Sequence, residues 1–356
     1  MDLQMKRIKM MIPTDNCPLA TVIIPNWNGM RWLPKCIEAL KRQTVSCFEI
    51  LVVENASTDG SLAWLQEHGV PYLKNDRNLG FAGGVNAGIR SVLARGAEKS
   101  CETDQARKTV PPYVILLNND TEAEPGFVEA LLKSIEKDRK LFAVSAMMLR
   151  VQDTSTIDDA GDSMTLPGWA FQRGTEEPRS RYEQGCEVFS ACGGAAIYRT
   201  EYLEKTGLFD ETHFAYLEDL DLCWRARLMG YRNRYCPEAR VKHYGSATSG
   251  SKYNAFKVRL SSRNHIWLMY KNQPDFLLIL HGPWIAAGLL VKALFFAKKG
   301  LFLPWLSGTW EGLTHLERVR RVDFSRVPPH RLLSIERLLI LGTLEYVRHY
   351  AERALA

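Results

Sequence analysis

The stretch Tyr113-Val114-Ile115-Leu116-Leu117-Asn118-Asn119-Asp120 decides how this chain folds. Its first part is an unbroken apolar run, which is typical of a strand buried on both faces of a parallel sheet. The polar residues follow at the carboxyl end of that strand, the edge where open α/β sheets bind ligands. Asp120 offers the oxygen ligand that Mg²⁺ and Mn²⁺ prefer. Because Asn and Asp also favour turns, this segment alone leaves a metal site and a plain turn open.

Length and composition are those of an ordinary globular protein. The 356 residues suffice for one large domain or two, and the chain is 46% hydrophobic and 24% charged. Its net charge of +6 suits a polyanionic substrate or an anionic membrane surface. The eight cysteines form no C-x-x-C pair, which predicts reduced thiols instead of a disulfide framework or a zinc site. Residues 1–17 are basic and lack the apolar segment of a secretory signal, so we expect a cytoplasmic protein.

Strands and helices alternate with short connections through the first half, which predicts a parallel α/β sheet. The predicted strands cover residues 20–25, 48–53, 70–73, 113–117 and 141–149. The predicted helices cover residues 32–43, 61–68, 84–94 and 125–137. We expect a glycine-rich loop over 75–84 and a surface insertion over 96–112. The glycines at 80–84 do not match the G-x-G-x-x-G dinucleotide motif.

Polar clusters follow three of the predicted strands, and they form a crevice that suits a nucleotide. Trp27 stands after the first strand and either stacks on a base or packs in the core. Glu54 stands after the second and either accepts bonds from a base or ribose or caps the next helix. Asp120 stands after the fourth, where it would place a metal on a diphosphate.

The second half adds a cluster of acids at a helix start. Residues 152–184 are polar and are predicted to form an extended loop over the site. Glu218, Asp219 and Asp221 open a helix that ends at Gly230. They either complement the helix dipole or include a general base. A short strand over 240–245 carries His243, as a structural residue or as a second metal ligand.

The C-terminal part differs in composition. Residues 276–297 are apolar but interrupted by His281, Pro283 and Lys292, which is marginal for a membrane span. Lysines, arginines and aromatic residues flank this segment. Helices lying on a membrane surface show that mixture. A helical bundle packed on the α/β domain, or a homodimer contact, is the competing interpretation.

Five blocks together resemble one enzyme family, the inverting family 2 glycosyltransferases with the GT-A fold, and within it the rhamnosyltransferase-like group. In order, the blocks are IIPNWNG (23–29), VVENASTDGS (52–61), NLGFAGG (78–84), LLNNDT (116–121) and YLEDLDLCWR (216–225). The resemblance covers about residues 20–245. It implies a catalytic domain over 1–250, with a nucleotide-sugar half (20–120) and an acceptor half (121–250), followed by a helical region over 251–356.

The resemblance also implies roles for individual residues. Asp219 would deprotonate the acceptor hydroxyl, with Glu218 and Asp221 beside it. Asp120 and His243 would hold Mg²⁺ or Mn²⁺. Two departures stand out: Glu54 replaces the more usual Asp, and Asn119 stands where a second Asp often stands. The residues expected at the donor are Pro25, Asn26, Trp27, Glu54, Asn78, Gly80, Asn86, Asn118, Asn119, Asp120 and Arg263.

The implied reaction is a single displacement that inverts the anomeric centre. The best guess is rhamnose moving from dTDP-rhamnose to a hydroxyl of a cell-surface glycan or lipid-linked acceptor, at the inner face of the cytoplasmic membrane. Another donor, such as a UDP- or GDP-sugar, is the first alternative. A sugar-phosphate nucleotidyltransferase and a non-catalytic glycan-binding protein are the others. No nucleic-acid partner is expected.

Overall fold

The computed structural model describes residues 18–95, 110–245 and 253–355. The N-terminal stretch over 1–17 and most of the predicted insertion over 96–112 lie outside these ranges. Ten strands of the described chain join into one mixed sheet with helices on both faces. The predicted α/β class, a largely parallel sheet followed by a helical region, is confirmed.

The first half of the sheet is parallel. It has the strand order β4-β1-β2-β3. These strands are β1 (Ala20–Asn26), β2 (Phe48–Glu54), β3 (Tyr72–Lys74) and β4 (Tyr113–Leu117). The helices between them are α1 (Leu33–Lys41), α2 (Ser61–Glu67) and α3 (Gly80–Ala94). Every residue of β4 is buried, as its apolar run predicts, and each large side chain of this kind contributes roughly 1.5–3 kcal/mol.

The second half continues the sheet beyond β4. Strand β11 (Ala195–Arg199) pairs antiparallel with both β4 and β6 (Leu141–Arg150), and β12 (Arg232–His243) pairs parallel with β6. The two-residue strand β10 (Glu187–Val188) pairs antiparallel with β12 at the edge of the sheet. The short strand β5 (Thr121–Ala123) directly follows Asp120 and pairs with β12. The helices of this half are α4 (Phe127–Ile135), α5 (Thr200–Thr206) and α6 (Glu218–Leu228).

Three predictions about local structure are wrong. The 152–184 segment is not an extended loop, because it contains β7 (Asp153–Asp159), β8 (Asp162–Met164) and β9 (Ala170–Gln172). Its glycines sit in the tight turns that join these short strands, so the composition resembled that of a loop. Helix α3 begins at Gly80, four residues before the prediction, since its small residues let it pack closely on the sheet. Strand β12 begins at Arg232 instead of 240, because a bulge between Cys236 and Arg240 interrupts its pattern without ending it.

Four helices end the chain: α7 (Ala255–Asn272), α8 (Asp275–Lys298), α9 (Phe302–Thr314) and α10 (Pro329–Leu355). Helix α9 packs closely on α7, and Trp267 Nε1 donates a hydrogen bond to the carbonyl of Gly312 at 3.1 Å. Among the described residues, α8 alone is long and apolar enough to cross a membrane. Length and composition alone are weak evidence for a span.

Candidate active site

The carboxyl ends of β1, β2 and β4 are joined by one chain of buried side chains, which we call the floor (Asn26, Glu54 and Asn119). Asn26 Nδ2 donates to Glu54 Oε2 at 2.7 Å, and Asn26 Oδ1 accepts from Asn119 Nδ2 at 2.7 Å. The other oxygen of Glu54 accepts from the backbone N–H of Ser57 at 2.6 Å. A side chain at Gly29 would collide with both floor asparagines. The floor is therefore a closed network that supports the cleft from below.

Trp27 stands above this floor. Its side chain is 41% exposed, whereas Asn26 and Glu54 are buried. The neighbouring loop holds its position because Asn28 N–H donates to Ser57 Oγ at 2.9 Å and Thr58 N–H donates to Asn28 Oδ1 at 2.8 Å. An exposed indole on a fixed loop at this sheet edge is available for stacking, which removes the core alternative for Trp27.

The loop over 75–79 and the glycine-rich start of α3 join the floor to the second half. Asn78 Oδ1 accepts from the N–H of Gly80 at 2.8 Å, and Asn55 Nδ2 donates to the Gly80 carbonyl at 3.0 Å. Gly80 has φ +73° and lies against the backbone of Phe214, where a side chain would not fit. Asn78 and Gly80 thus shape the rim of the cleft.

Asp120 and His243 face each other beside the floor. Asp120 Oδ1 lies 3.3 Å from His243 Nε2, and His243 Nδ1 lies 2.6 Å from Asp158 Oδ2. Burial opposes protonation of the imidazole, but the bonds and charges of the two carboxylates outweigh it and raise the pKa of His243 to about 10. A carboxylate behind a histidine is the usual support of a metal ligand. Asp120 and His243 carry the ligand types that a divalent cation takes, and a bound cation would displace the proton from the imidazole.

Asp219 lies in the first turn of α6, on the other side of the cleft. Its Oδ2 accepts from the N–H of Gly193 at 3.0 Å, and its Oδ1 accepts from the N–H of Leu220 at 2.8 Å. Burial raises the pKa of Asp219 despite these bonds. The next residue, Gly194, is bonded to the turn that follows β4, because its carbonyl accepts from the N–H of Asn118 at 2.8 Å. The Gly193–Gly194 pair thus ties Asp219 to the segment that carries Asp120.

The backbone leading into α6 is strained. Phe214, Tyr216 and Leu217 have φ of 62°, 71° and 67°, a region that bulky residues rarely adopt. Asn264 of α7 holds the segment, since its Nδ2 lies 3.0, 2.9 and 2.8 Å from the carbonyls of His213, Ala215 and Tyr216. Strain supported in this way is typical of functional sites.

Comparison with known proteins identifies the family. Residues 21–207, just over half of the chain, match the sequence model of glycosyl transferase family 2. The chain belongs to glycosyl transferase family 2. The predicted family is thereby confirmed.

Two relatives and one solved structure illustrate the likeness of this glycosyltransferase. It is 26% identical over 276 residues to N-acetylglucosaminyl-diphospho-decaprenol L-rhamnosyltransferase of Mycobacterium tuberculosis, covering 72% of this chain and 83% of that protein. It is 28% identical over 131 residues to chondroitin synthase of Escherichia coli, covering 36% of this chain and 17% of that protein. It matches a crystal structure of GalNAc-T7 with UDP, GalNAc and Mn²⁺ at a TM-score of 0.56 and 15% identity. This match covers 73% of the glycosyltransferase and about half (48%) of that protein, and it confirms the predicted GT-A fold.

Not every residue expected at the site faces the cleft of the glycosyltransferase. Asp221 is fully buried and pairs with Arg225 at 2.8 Å and with Lys271 at 2.9 Å. Burial opposes its ionisation, but the charges of these two cations lower the pKa of Asp221. We therefore assign Asp221 to the joint between α6 and α7 instead of to catalysis.

Asn86, Arg263 and Glu54 are also engaged by the protein. Asn86 Nδ2 donates to the carbonyl of Phe209 at 2.9 Å from a buried position in α3. Arg263 pairs with Glu311 at 3.2 Å and donates to the carbonyl of Thr212 at 3.0 Å. These bonds hold the segment before α6. Because its guanidinium is already paired with the protein, Arg263 is not free to bind the diphosphate of the donor. Glu54 is fully buried, and each of its two oxygens already accepts a hydrogen bond from the protein. We therefore assign all three residues to support.

The remaining expected donor residues lie at the cleft. Pro25 is the last residue but one of β1, pairs with Val53 and is half-buried. Asn118 is half-buried beside Gly194, and a side chain at Gly194 would crowd its amide. Asn119 and Asp120 are buried in the strand-end turn. Of the expected donor set, Trp27 and Asp120 are the best placed for direct contact.

Sequence reasoning missed a group of buried acids near Asp219. The acidic oxygens of Asp159 and Asp162 and the sulfur of Cys192 lie within 4.8 Å of one another. Within the described ranges, Oδ2 of Asp159, Oδ2 of Asp162 and Oε2 of Glu218 are buried without a hydrogen-bond partner. Burial raises the pKa of Asp159 to about 7, and burial together with the charge of Asp159 raises the pKa of Asp162 well above its usual value. Two carboxyl groups so close in a dry site retain a proton between them.

Asp158, Asn264 and the Asp159–Asp162 pair had only a weak sequence signal. Asp158, Asp159 and Asp162 lie in the segment whose turns resembled a loop. Asn264 lies inside a helix, where an asparagine is unfavourable unless its side chain makes a specific hydrogen bond. That local conflict was the one signal that could have identified it.

Proposed function

We propose that this glycosyltransferase moves a sugar, with inversion, from a nucleotide sugar to a hydroxyl of a lipid-linked glycan acceptor. Rhamnose from dTDP-rhamnose is the proposed donor. The relative from Mycobacterium tuberculosis that aligns over 72% of this chain is named as a rhamnosyltransferase acting on a diphospho-decaprenol acceptor, which supports this choice. A UDP- or GDP-sugar donor is the alternative.

The observation that carries the proposal is the link between Asp219 and the strand-end turn through Gly193 and Gly194. It sets one ionisable carboxylate across the cleft from Asp120. Asp219 takes the proton from the acceptor hydroxyl as that oxygen attacks the anomeric carbon. Because burial raises the pKa of Asp219, the carboxylate is a stronger base than an exposed Asp, and this favours general-base catalysis. One base and no second nucleophile are what an inverting displacement requires.

Asp120 and His243 would hold Mg²⁺ or Mn²⁺, and Asp158 orients the imidazole from behind. When bound, the cation neutralises the developing charge of the departing nucleoside diphosphate. Trp27 stacks on the base of the nucleotide from its fixed loop. The floor keeps Trp27 and Asp120 at a constant separation, because it joins the strand ends that carry them.

The donor is tested by thermal shift of the full chain with a panel of nucleotide sugars. We expect dTDP-rhamnose to raise the Tm in the presence of Mn²⁺ and much less after chelation, since a ligand stabilises the state that binds it. Trp27→Ala should lose the shift, and Tyr72→Gln, at an exposed aromatic of β3, should keep it. A larger shift with a UDP- or GDP-sugar would replace the donor. A shift with nucleoside triphosphate plus sugar phosphate, and turnover of that mixture, would contradict sugar transfer.

A further inference from the structure

Helix α8 has the reverse of the usual arrangement of a surface helix. Its outward side carries large apolar residues along most of its length: Phe276, Ile279, Leu280, Trp284, Leu290 and Leu294. Ile279 is 77% exposed. A helix on a soluble domain turns such residues inward and places polar ones in water. Here the solvent side of α8 carries no charge between Asp275 and Lys298.

The polar residues of α8 point toward the protein instead. His281 is buried, with Nδ1 at 3.1 Å from Gln273 Oε1 and Nε2 at 2.9 Å from Glu336 Oε2. Lys292 lies over the ring of Trp169, 5.8 Å from its centre. The polar groups on the inward face of α8 thus have specific partners in the protein. The outward face is apolar and suits apolar surroundings.

Helix α9 packs against the end of α8 through Phe296 and Trp305, and it too has an exposed apolar side. Leu303, Leu306, Trp310 and Leu313 point outward, and Leu303 is 73% exposed. The inward side of α9 carries small residues that fit against α7. We call the outward residues of α8 and α9 together the apolar face.

Cations stand at both ends of α8, the longer helix of the apolar face. Lys298 and Lys299 are exposed at the junction of α8 and α9. At the other end, Arg321 pairs with Asp275 at 2.6 Å, which brings the exposed Arg318 and Arg320 close to the start of α8. An apolar strip with cationic ends matches the acyl layer and anionic headgroups of a membrane. A second copy of the chain would bring the same cations to the interface, because a twofold contact uses the same patch twice.

The contacts of α8 favour a helix lying along the membrane over one crossing it. Its 24 residues measure about 36 Å, and the inward side is anchored along that length. Gly288, near the middle, lies against Pro167 and Trp169, where a side chain would not fit. His281 is held by Glu336 of α10. A crossing helix would have to leave these partners.

Aromatic contacts connect the apolar face to the cleft. Phe295 at the end of α8 lies 5.6 Å from Tyr253 between ring centres. Three residues further along the chain, Phe256 lies 6.3 Å from Phe214, which belongs to the strained segment before Asp219. The face therefore leads to the acceptor side of the cleft.

We propose that the apolar face docks the enzyme flat on an anionic lipid membrane, with α8 and α9 in the headgroup region and the acceptor side of the cleft turned toward the lipid. The donor nucleotide needs no part in this contact. Vesicle binding is therefore measured without any sugar, and its failure is distinguishable from a failure of the proposed transferase reaction.

Co-sedimentation of the full chain with vesicles tests the proposal. We expect binding to phosphatidylcholine vesicles containing about 30 mol% phosphatidylglycerol, and weaker binding to pure phosphatidylcholine or at high salt. Ile279→Gln/Leu290→Gln/Leu294→Gln should reduce the partition coefficient at least tenfold. Lys298→Gln/Lys299→Gln should reduce it about fivefold per lysine, on anionic vesicles only. Tyr72→Gln, an exposed aromatic change on β3, should leave it unchanged.

Three results would overturn the proposal. The first is a wild-type chain that binds neither vesicle. The second is a triple variant that folds, by circular dichroism, and binds as well as the wild type. The third is a wild-type dimer, by light scattering, that the triple variant converts to a monomer without any vesicle binding, since a second copy then covers the face. If the triple variant does not fold, quenching of tryptophan emission in the wild type by brominated lipid decides, and absence of quenching contradicts docking.

Discussion

The two sides of the cleft are built on opposite principles. On the donor side, the buried polar groups of Asn26, Glu54 and Asn119 are paired with one another. On the acceptor side, Glu218 and the Asp159–Asp162 pair retain buried oxygens without partners in the described chain, and the backbone before α6 is strained. A satisfied network gives rigidity, whereas desolvated acids and strain shift pKa values and store energy. Under the proposed function, the contrast assigns shape to the donor side and chemistry to the acceptor side.

The largest effect is expected from Asp219→Asn, which removes the proposed base and changes few contacts. Transfer should fall about 10³-fold or more, because the acceptor hydroxyl keeps its proton, while donor affinity stays close to that of the wild type. Turnover and titration calorimetry with the donor measure the two quantities. Glu218→Gln is the neighbouring control and should retain more activity. Full turnover by Asp219→Asn would contradict the assignment of Asp219 as the base. It would also contradict the contrast between the two sides of the cleft.

Next in size is Asp158→Asn, which weakens the support of His243. Mn²⁺ affinity in the presence of nucleoside diphosphate should fall about 10- to 100-fold, since the imidazole loses its charged partner. Calorimetric titration of Mn²⁺ measures this. Asp153→Asn, an exposed acid on the same strand, is the matched control. Equal losses of Mn²⁺ affinity in both variants would show that removing any nearby negative charge has this effect, and that Asp158 has no specific role in supporting His243.

Asn264→Ala tests whether the strained segment positions the base. Three carbonyls lose their donor, so we expect turnover to fall roughly tenfold or more through misplacement of Asp219, with donor affinity unchanged. Asn254→Ala removes the cap of the same helix, where Asn254 accepts from the N–H of Lys257 at 2.9 Å, and serves as the control. Its stability should fall by about 1 kcal/mol with turnover retained. If both variants lost turnover, Asn264 would contribute only to the stability of the fold and not to the position of Asp219.

Asp159→Asn should change the pH dependence of stability. The raised pKa of Asp159, about 7, means that the folded chain holds a proton which the unfolded chain releases above about pH 4. The stability linked to this group is complete below pH 4 and is lost as the pH rises to about 7. Asparagine does not titrate, so the variant should lose that decline, which amounts to on the order of 4 kcal/mol for a pKa change from about 4 to about 7. Urea midpoints from pH 4 to 8 measure it, and parallel curves for both proteins would contradict the shared proton.

The smallest effect is expected from Glu54→Gln on the donor side. The amide keeps one of the two accepted bonds, so the free energy of unfolding should fall by about 1 kcal/mol and the KM for the donor should change little. Urea unfolding and steady-state kinetics measure both. A large rise in KM would show that Glu54 contacts the nucleoside after all, and the floor would then be part of the binding site.

The predictability of the site differed between its parts for a physical reason. The strand ends at Asn26, Glu54 and Asn119 could be found because a buried parallel strand has a continuous apolar run that stops at the functional edge. Asp158 and Asp162 could not, because short strands joined by glycine turns have the composition of a loop. Asp221 and Arg263 were expected to act directly, since sequence shows the charge of a side chain but not the partner that neutralises it.

The sequence by itself determined the α/β class, the family and the strand ends at which Asp120 and Trp27 lie, because hydrophobic periodicity and local turn chemistry are properties of neighbouring residues. Only the tertiary structure decided which of these groups meet. The bonds of Asn264 to the 213–216 carbonyls span about fifty residues, and the link from Asp219 to Gly193 spans 26. Only the tertiary structure, too, revealed which side of α8 faces outward, since an apolar helix has no sequence pattern that distinguishes its two faces.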